Sequence, residues 1–468
     1  MTSKFFSIDF ANLSKDEFLR NDEKFHSFLY FSNWNLYKVK NKPVISLKEI
    51  LTSDYQLFEY EEGEEYKGLP TGQSYFDEDG EITDFQQVTA GNHPGRLKYK
   101  ISSKNILISS VRLAKSPALY FDDIDFANYV FSNGFYIFKV KDGWNKKFIL
   151  YILRTKKLKT ILDDHIYRGI GISAYKDTDL LKIKIPVVPE DAQNKIVDKI
   201  KPIERKIQNL KKNIVSTQEI INKVFAREFS FDLDKFKKLK EIKNHYLDLY
   251  AFSNNKDLRQ SVKFHADSAK FVMQELNRVT KSKVKHFIAE PIVLGAGISP
   301  SNFDETGEYY YVSMATVKNY KLEIDETQLV SDEYAQANTN KFIKENDIIM
   351  TRSGVAIGKF ALIEDDTKGV FADFTMRIRL KNYNHRFAYY YFRMDYFQHL
   401  IHSHKKGLQN QNIFPSQIQE FPIIDISLKE QKRIVNEIKS ELDKQQIIRN
   451  QINAERRKID DIIEGIIA

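Results

Sequence analysis

The feature that most constrains this chain is an internal repeat. Leu19-Arg20, three residues, then Lys24-Phe25-His26 recurs as Leu258-Arg259, three residues, Lys263-Phe264-His265, at a shift of 239 residues. Asn105-Ile106-Leu107-Ile108-Ser109-Ser110 is answered by Asn346-Asp347-Ile348-Ile349-Met350-Thr351 at a shift near 242, and Arg168-Gly169 by Lys406-Gly407 at 238. Gln193-Asn194-Lys195-Ile196-Val197 is answered by Gln431-Lys432-Arg433-Ile434-Val435, again at 238. Each match is weak alone; four in one order at nearly one shift are hard to obtain by chance. Half of 468 residues is 234, so a duplication accounts for nearly the whole chain.

Each copy ends in a long helical signal. From Ile196 the apolar positions run Ile196, Ile200, Ile203, Ile207, Leu210 and Ile214, then Ile221 and Val224, a heptad seam interrupted at Thr217. Pro189 suits a first turn, and Pro202 lies inside the pattern, so a kink is expected there. The second helix opens on Ser427-Leu428-Lys429-Glu430, the pattern of a capping box. Its stripe passes through Val435, Ile438, Leu442, Ile448, Ile452 and Ile459, with a register slip near Gln445. About 40 helical residues span roughly 60 Å, more than one small domain can bury. The two helices are therefore expected to pack against each other as an arm between two globular units.

The globular parts carry short β-branched or aromatic runs, such as Asn105–Ser110, Tyr129–Val140, Asp347–Met350 and Thr375–Leu380. Helical patterns follow at Lys147–Leu158 and Phe387–Leu400. The expected fold class is α+β: two pseudo-repeated α/β domains, joined and separated by two long antiparallel coiled-coil helices. The expected boundaries are 1–185 for the first domain with its N-terminal extension and 186–235 for a central long helix. A connector at 236–256, a second domain at 257–422 and a C-terminal long helix at 423–468 complete the chain.

Several chemistries find no support. The chain has no cysteine, which excludes thiolate nucleophiles, disulfides and Cys-ligated zinc. There is no Pro-Pro, hence no (Asp/Asn)-Pro-Pro-aromatic tetrapeptide for base methylation, and no Gly-x-x-x-x-Gly-Lys-(Ser/Thr) phosphate cradle. Gly295-Ala-Gly297 reads as a turn, and His399, His402 and His404 as a solvated helix end rather than a metal site. The acidic run Glu59–Glu65 reads as a solvated face or a contact to a basic partner. No signal peptide or membrane span is visible, so a soluble, cytoplasmic protein without membrane contact is expected. The 72 Lys+Arg against 64 Asp+Glu leave a net charge of +8, a mild excess compatible with an anionic partner.

With the repeat and both helices in hand, the chain resembles the specificity (S) subunits of Type I restriction–modification systems. The Leu-Arg-x-x-x-Lys-Phe-His openings look like the start of each target-recognition domain. Asn346-Asp-Ile-Ile-Met-Thr-Arg-Ser-Gly354, followed by Ala356-Ile-Gly-Lys359, is similar to the family's strand-and-loop signature. So is Gly407-Leu-Gln-Asn-Gln-Asn-Ile413 leading to Phe421-Pro422 and Glu430–Val435. The first copy keeps Ile185-Pro-Val-Val-Pro189 and Gln193–Val197 but departs at Ser109-Ser-Val-Arg112 and at Gly171-Ile-Ser.

The resemblance implies a DNA reader that carries no catalytic centre. It implies two domains reading the halves of a bipartite, asymmetric target in double-stranded DNA, with the helices as a ruler. It also implies docking of two modification (methyltransferase) subunits and then of a restriction (ATP-dependent translocase/nuclease) subunit. This chain would hold no cofactor of its own; S-adenosylmethionine, ATP and magnesium would belong to those partners. Base and phosphate contacts need Arg, Lys, Asn or Gln on loops. Candidate contacts are Arg112, Lys115 and Arg168 in the first domain, and Arg352, Ser353, Lys359, Lys405, Lys406, Gln409 and Gln411 in the second. Two other readings stand beside this one: the specificity subunit of a related system whose partner fuses cleavage and methylation, and a coiled-coil scaffold that binds protein.

Overall fold

The computed structural model describes residues 34–36, 43–71, 74–111, 114–121, 126–166, 175–242, 259, 261–325, 327–407 and 411–467. The first Leu-Arg-x-x-x-Lys-Phe-His opening, Arg112, Arg168 and Gln409 lie outside the described residues. The chain forms two compact units, Met1–Asn213 with Arg449–Ala468, and Ile214–Ile448.

The first unit begins with β1 (Val44–Ser46), α1 (Leu47–Ile50), β2 (Leu51–Ser53), β3 (Gln56–Leu57), β4 (Glu65–Leu69), β5 (Gln86–Thr89) and β6 (Leu97–Lys100). There follow β7 (Asn105–Ser109), β8 (Ala118–Leu119), β9 (Tyr129–Ser132), β10 (Phe135–Val140), α2 (Lys146–Arg154), α3 (Lys156–Ile161), α4 (Asp177–Leu181), β11 (Lys184–Pro186) and α5 (Glu190–Lys211). The order β2-β10-β7-β8 makes an antiparallel sheet. A second sheet, β3-β6-β9-β4-β5, contains one parallel pair, β4 with β9.

The second unit opens with α6 (Thr217–Phe229), α7 (Leu233–Glu241), α8 (Val262–His265) and α9 (Asp267–Val279). Its strands are β12 (Val293–Leu294), β13 (Tyr309–Val312), β14 (Val317–Lys318), β15 (Lys321–Leu322), β16 (Leu329–Val330), β17 (Ile348–Thr351), β18 (Phe360–Leu362), β19 (Gly369–Phe371) and β20 (Thr375–Ile378), with α10 (Asp332–Ala337) before β17. Next come α11 (His385–Arg393), α12 (Asp395–His404), α13 (Pro415–Glu420) and the 40-residue α14 (Leu428–Ile467). The antiparallel order β12-β20-β17-β18 repeats β2-β10-β7-β8 strand for strand, and the parallel pair β13 and β19 repeats β4 and β9. The duplication found in the residues is thus a duplication of topology.

The matched apolar run is a strand covered on both faces. Ile106 and Ile108 enter the core beneath α2, while Leu107 packs on the other side with Phe131 and Phe135. In the second unit Ile348 and Met350 face the helices, and Ile349 faces Val312 and Phe371. Period-2 alternation between two dry faces reads as a continuous apolar run. Each copy then turns into a helix capped by asparagine. The Asn145 side chain accepts from the amides of Lys147 and Phe148, and that of Asn384 from Phe387.

The central segment departs from a single long helix over 186–235. It is two helices, α5 and α6, with a break between Lys211 and Thr217, and Ser216 caps the second by accepting from the Glu219 amide. The register slip expected near Gln445 belongs to that break. Gln445 is buried, and its Oε1 accepts from the Val215 amide at 2.8 Å, satisfying a donor that the break would leave orphaned. Pro189 stands at the N-cap, and α5 runs on through Pro202. The expected connector is partly helical, since α7 reaches Glu241. Ser427 accepts from the Glu430 amide at 3.2 Å, but the Glu430 carboxylate accepts from Arg433 Nε at 2.8 Å, so half of the capping box forms.

The helix isoleucines divide by position. Ile196, Ile200 and Ile207 on α5, and Val435, Ile438 and Ile452 on α14, are buried. Ile196 and Ile200 join the first unit's core together with Ile463, while Val435 and Ile438 join the second unit's core with Ile221 and Phe225. Ile203, Leu210, Ile214, Leu442, Ile448 and Ile459 are half-covered. The helix ends are therefore parts of domain cores, which a free arm would not require. Gly295 is likewise no simple turn. Ala296 bridges Ala372 in parallel, and a Cβ on Gly295 would lie 2.1 Å from the Phe371 carbonyl oxygen, a backbone approach only glycine permits.

Candidate nucleic-acid interface

In the second unit three segments meet at the end of the β17–β20 ladder. Thr351 pairs with Thr375, and one step further the Arg352 amide donates to the Phe374 carbonyl at 3.0 Å. On the other side the Ile413 amide donates to the Arg352 carbonyl at 3.0 Å. Arg352 is half-buried; its Nε donates to the Asp373 carbonyl at 3.1 Å, and its guanidinium sits 5.9 Å from the centre of the Phe414 ring. The loop between β17 and β18 turns through Gly354 and Gly358, both at positive φ.

The candidate residues of this loop separate into two groups. Lys359 and Lys406 are exposed and, like Arg352, pair with no carboxylate among the described residues. Ser353 is different: it is 92% buried and its hydroxyl donates to Asn412 Oδ1, so it braces the loop from beneath. Gln411 is half-buried and accepts at its backbone carbonyl from the Gly354 amide at 3.2 Å. Lys406 and Asn412 exchange both backbone hydrogen bonds at 2.7 Å, which closes the 406–412 loop at its base. Lys405 is half-buried; burial, followed by the nearby Lys263, lowers its pKa.

The opening motif of the second copy has a structural task. Arg259, 93% buried, donates to the carbonyls of His404 at 2.6 Å and Lys405 at 3.0 Å, where α12 ends. A guanidinium at a helix C-terminus satisfies orphan carbonyls and meets the negative end of the helix dipole. Phe264 lies 4.7 Å beneath that guanidinium, and His265 Nε2 is 2.5 Å from the Arg259 carbonyl.

Nor do the three histidines form a solvated end. His399 is packed against Phe236 and lies 3.0 Å from the Ser268 hydroxyl; burial, then Lys240 and the neighbouring histidines, push its pKa down to about 4. His404 stacks edge-on against Phe264 and Phe421, and His402 is exposed. Among the described residues no group of three or more His, Asp or Glu is placed to hold a metal. No described helix is long and apolar enough to cross a membrane. The Glu59–Glu65 run keeps its carboxylates exposed at a turn through Gly63.

In the first unit Lys115 is exposed, pairs with no carboxylate among the described residues, and lines an open groove of about 1570 Å³. Lys156, Lys159, Arg205 and Lys212 line the same groove, and the hairpin Glu78–Asp84 forms part of its wall. That hairpin is locked in place. Lys211 Nζ reaches Asp77 at 2.6 Å, Asp79 at 2.5 Å and Glu81 at 3.0 Å, and Arg456 grips both Asp79 oxygens at 2.8 and 2.6 Å. Burial works to raise the Asp79 pKa, but Arg456 and Lys211 outweigh it and hold the carboxylate below its usual range. Sequence reasoning missed the groove cations, Phe374 and Phe414, because surface lysines are common and aromatic residues default to the core.

Two copies of one α+β module define a tandem recognition protein; among the described residues Lys115 in the first copy and Arg352, Lys359 and Lys406 in the second stand on loops without a carboxylate partner. The chain matches the family described as Type I restriction modification DNA specificity domain over residues 28–219 and 292–455. It belongs to that family: it is a DNA-recognition specificity subunit with two recognition domains in tandem. The HsdS subunit from Thermoanaerobacter tengcongensis and the Type-I restriction-modification S subunit from M. genitalium are similar at 12% and 11% identity. For both, the alignment covers 92% of this chain and 98% of the other, with a TM-score of 0.34. A chain from a study of complex assembly and conformational transition of the type I R-M system aligns at 12% identity and TM-score 0.41, with the same coverage. No curated protein sequence matches the chain.

Proposed function

We propose that this subunit reads a bipartite, asymmetric site in double-stranded DNA, one half through each recognition domain. The observation that carries this reading is the contrast between frame and loops. Both copies keep the same strand order and the same asparagine-capped helix, while the loops that could meet DNA differ: Thr351-Arg-Ser-Gly354 in one, Ser109-Ser-Val-Arg112 in the other. A shared frame with unlike loops suits two different half-sites. Phosphate contacts fix register, and base-edge contacts specify sequence. Lys359, Lys405 and Lys406 suit the first task, and Arg352 and Gln411 the second; Ser353 holds the loop that presents them. Arg112, Lys115 and Arg168 are proposed for the first domain.

In this reading the chain makes and breaks no bonds. The long helices set the spacer and dock two modification subunits, which supply S-adenosylmethionine-dependent methylation; an ATP-driven restriction subunit joins them. Salt-dependent, sequence-selective binding by the subunit assembled with its modification partners tests the reading. Binding that ignores sequence would contradict it, as would methylation by the isolated chain.

A further inference from the structure

Two phenylalanines stand out in the second unit because they leave the core. Phe360, Phe387, Phe392 and Phe397 are fully buried, yet Phe374 is 49% and Phe414 39% exposed. Single exposed apolar residues need no explanation, but these two flank one cation. Arg352 and Phe374 are backbone neighbours one step beyond the Thr351–Thr375 pair: the Arg352 amide donates to the Phe374 carbonyl at 3.0 Å, where Asp373 and Phe374 turn the chain into β20. Phe414 follows Ile413, whose amide is bonded to Arg352, and its ring lies 5.9 Å from the guanidinium.

The backbone beneath this face is pinned. Phe414's amide donates to Gln417 Oε1 at 3.0 Å, and Gln417 Nε2 donates to the His404 carbonyl at 2.6 Å. The Gly354–Gln411 and Lys406–Asn412 bonds hold the two adjoining loops. Arg352 is oriented through Nε by the Asp373 carbonyl, leaving its terminal Nη pair as donors. Exposed Lys359 and Lys406 border the same loops without a carboxylate partner among the described residues.

We infer that Phe374, Arg352 and Phe414 form one base-reading face, in which at least one ring packs on the 5-methyl group of a thymine in the major groove. This rests on the DNA-reading function proposed above and names the chemistry of one of its contacts. Two small apolar surfaces split by a guanidinium and rimmed by lysines complement a polyanion better than an apolar protein face. On the major-groove edge the thymine methyl is the apolar feature, and phenylalanine is one of the side chains that meet it; an arginine beside it suits the N7 and O6 of a guanine.

The test replaces each thymine of the methylated target, one at a time, by deoxyuridine, which removes only the methyl group. Binding is measured with the subunit assembled with its modification partners. One replacement should weaken binding about 3–10-fold, the scale of one buried methyl, and that loss should disappear in Phe374→Ala or Phe414→Ala. Both rings are exposed, so thermal unfolding of the variants should match the parent. Selective binding that tolerates every deoxyuridine would overturn the inference, as would a loss that persists unchanged in both variants or a target without thymine. Failure of selective binding altogether would instead overturn the DNA-reading function.

Discussion

Gln193 Oε1 accepts a hydrogen bond from the backbone amide of Asn145 at 2.7 Å, and its Nε2 donates to the Val188 carbonyl at 2.8 Å. The second copy repeats this: Gln431 accepts from Asn384 at 2.8 Å and donates to the Ile426 carbonyl at 2.8 Å. Both glutamines are buried. Each side chain ties the capped start of a recognition-domain helix to the loop that leads into a long helix. Domain and helix are thereby held in a fixed relation within each unit.

Gln193→Leu and Gln431→Leu should each destabilise the protein by about 1–3 kcal/mol, because each strands a half-buried backbone amide and the backbone carbonyl of Val188 or Ile426. Denaturant unfolding measures the loss. A change below about 0.5 kcal/mol would show that the bridges are incidental.

The acidic hairpin of the first unit should act as a positioning lock. Asp79→Ala or Arg456→Ala should cost about 1–2 kcal/mol, between the values for exposed and buried ion pairs. A double-mutant cycle should show coupling between them, and Arg456→Ala should shift the first half-site's affinity more than the second's. Because the Asp79 pKa is depressed in the folded state, this contribution is present above about pH 4 and is lost as pH falls through the folded value.

His399 sets a second pH dependence. Its folded pKa of about 4 lies below the ordinary histidine value, so the unfolded chain binds the proton more tightly between about pH 6.5 and 4. Stability should therefore fall by up to about 3 kcal/mol on acidification through that window, at about 1.4 kcal/mol per pH unit. His399→Gln should flatten the profile there; an unchanged profile would assign the effect to other groups.

The fold was legible where the chain repeats itself and where local chemistry is strict. Gln193 and Gln431 appeared as matched letters before their bonds were known, and Asn105–Ser109 announced a strand buried on both sides. The break between α5 and α6 was legible only as an interruption of the seam at Thr217 and as the Gln445 slip, because the apolar spacing continues as far as Ile214. Function was partly legible. Lys359 and Lys406 lie on the surface as a DNA contact requires, whereas Ser353 and Arg259 share the same motifs but serve packing. A motif records that a residue matters and leaves open whether it faces solvent or the loop beneath.

Arg352→Ala should weaken specific binding by about 1–3 kcal/mol and relax selectivity at one base pair. Lys406→Ala should weaken binding to all sequences and lower the salt slope by about 1. Titrations of cognate and mismatched duplexes at two salt concentrations separate these outcomes. Equal behaviour of the two variants would remove the division between base and phosphate contacts.

Methylome sequencing of cells that express this subunit with its cognate modification subunit tests the central claim most directly. Two tandem recognition domains predict methylated bases within a split motif, two unlike half-sites separated by a spacer of fixed length and free sequence. A single continuous motif would contradict the assignment of one half-site to each domain.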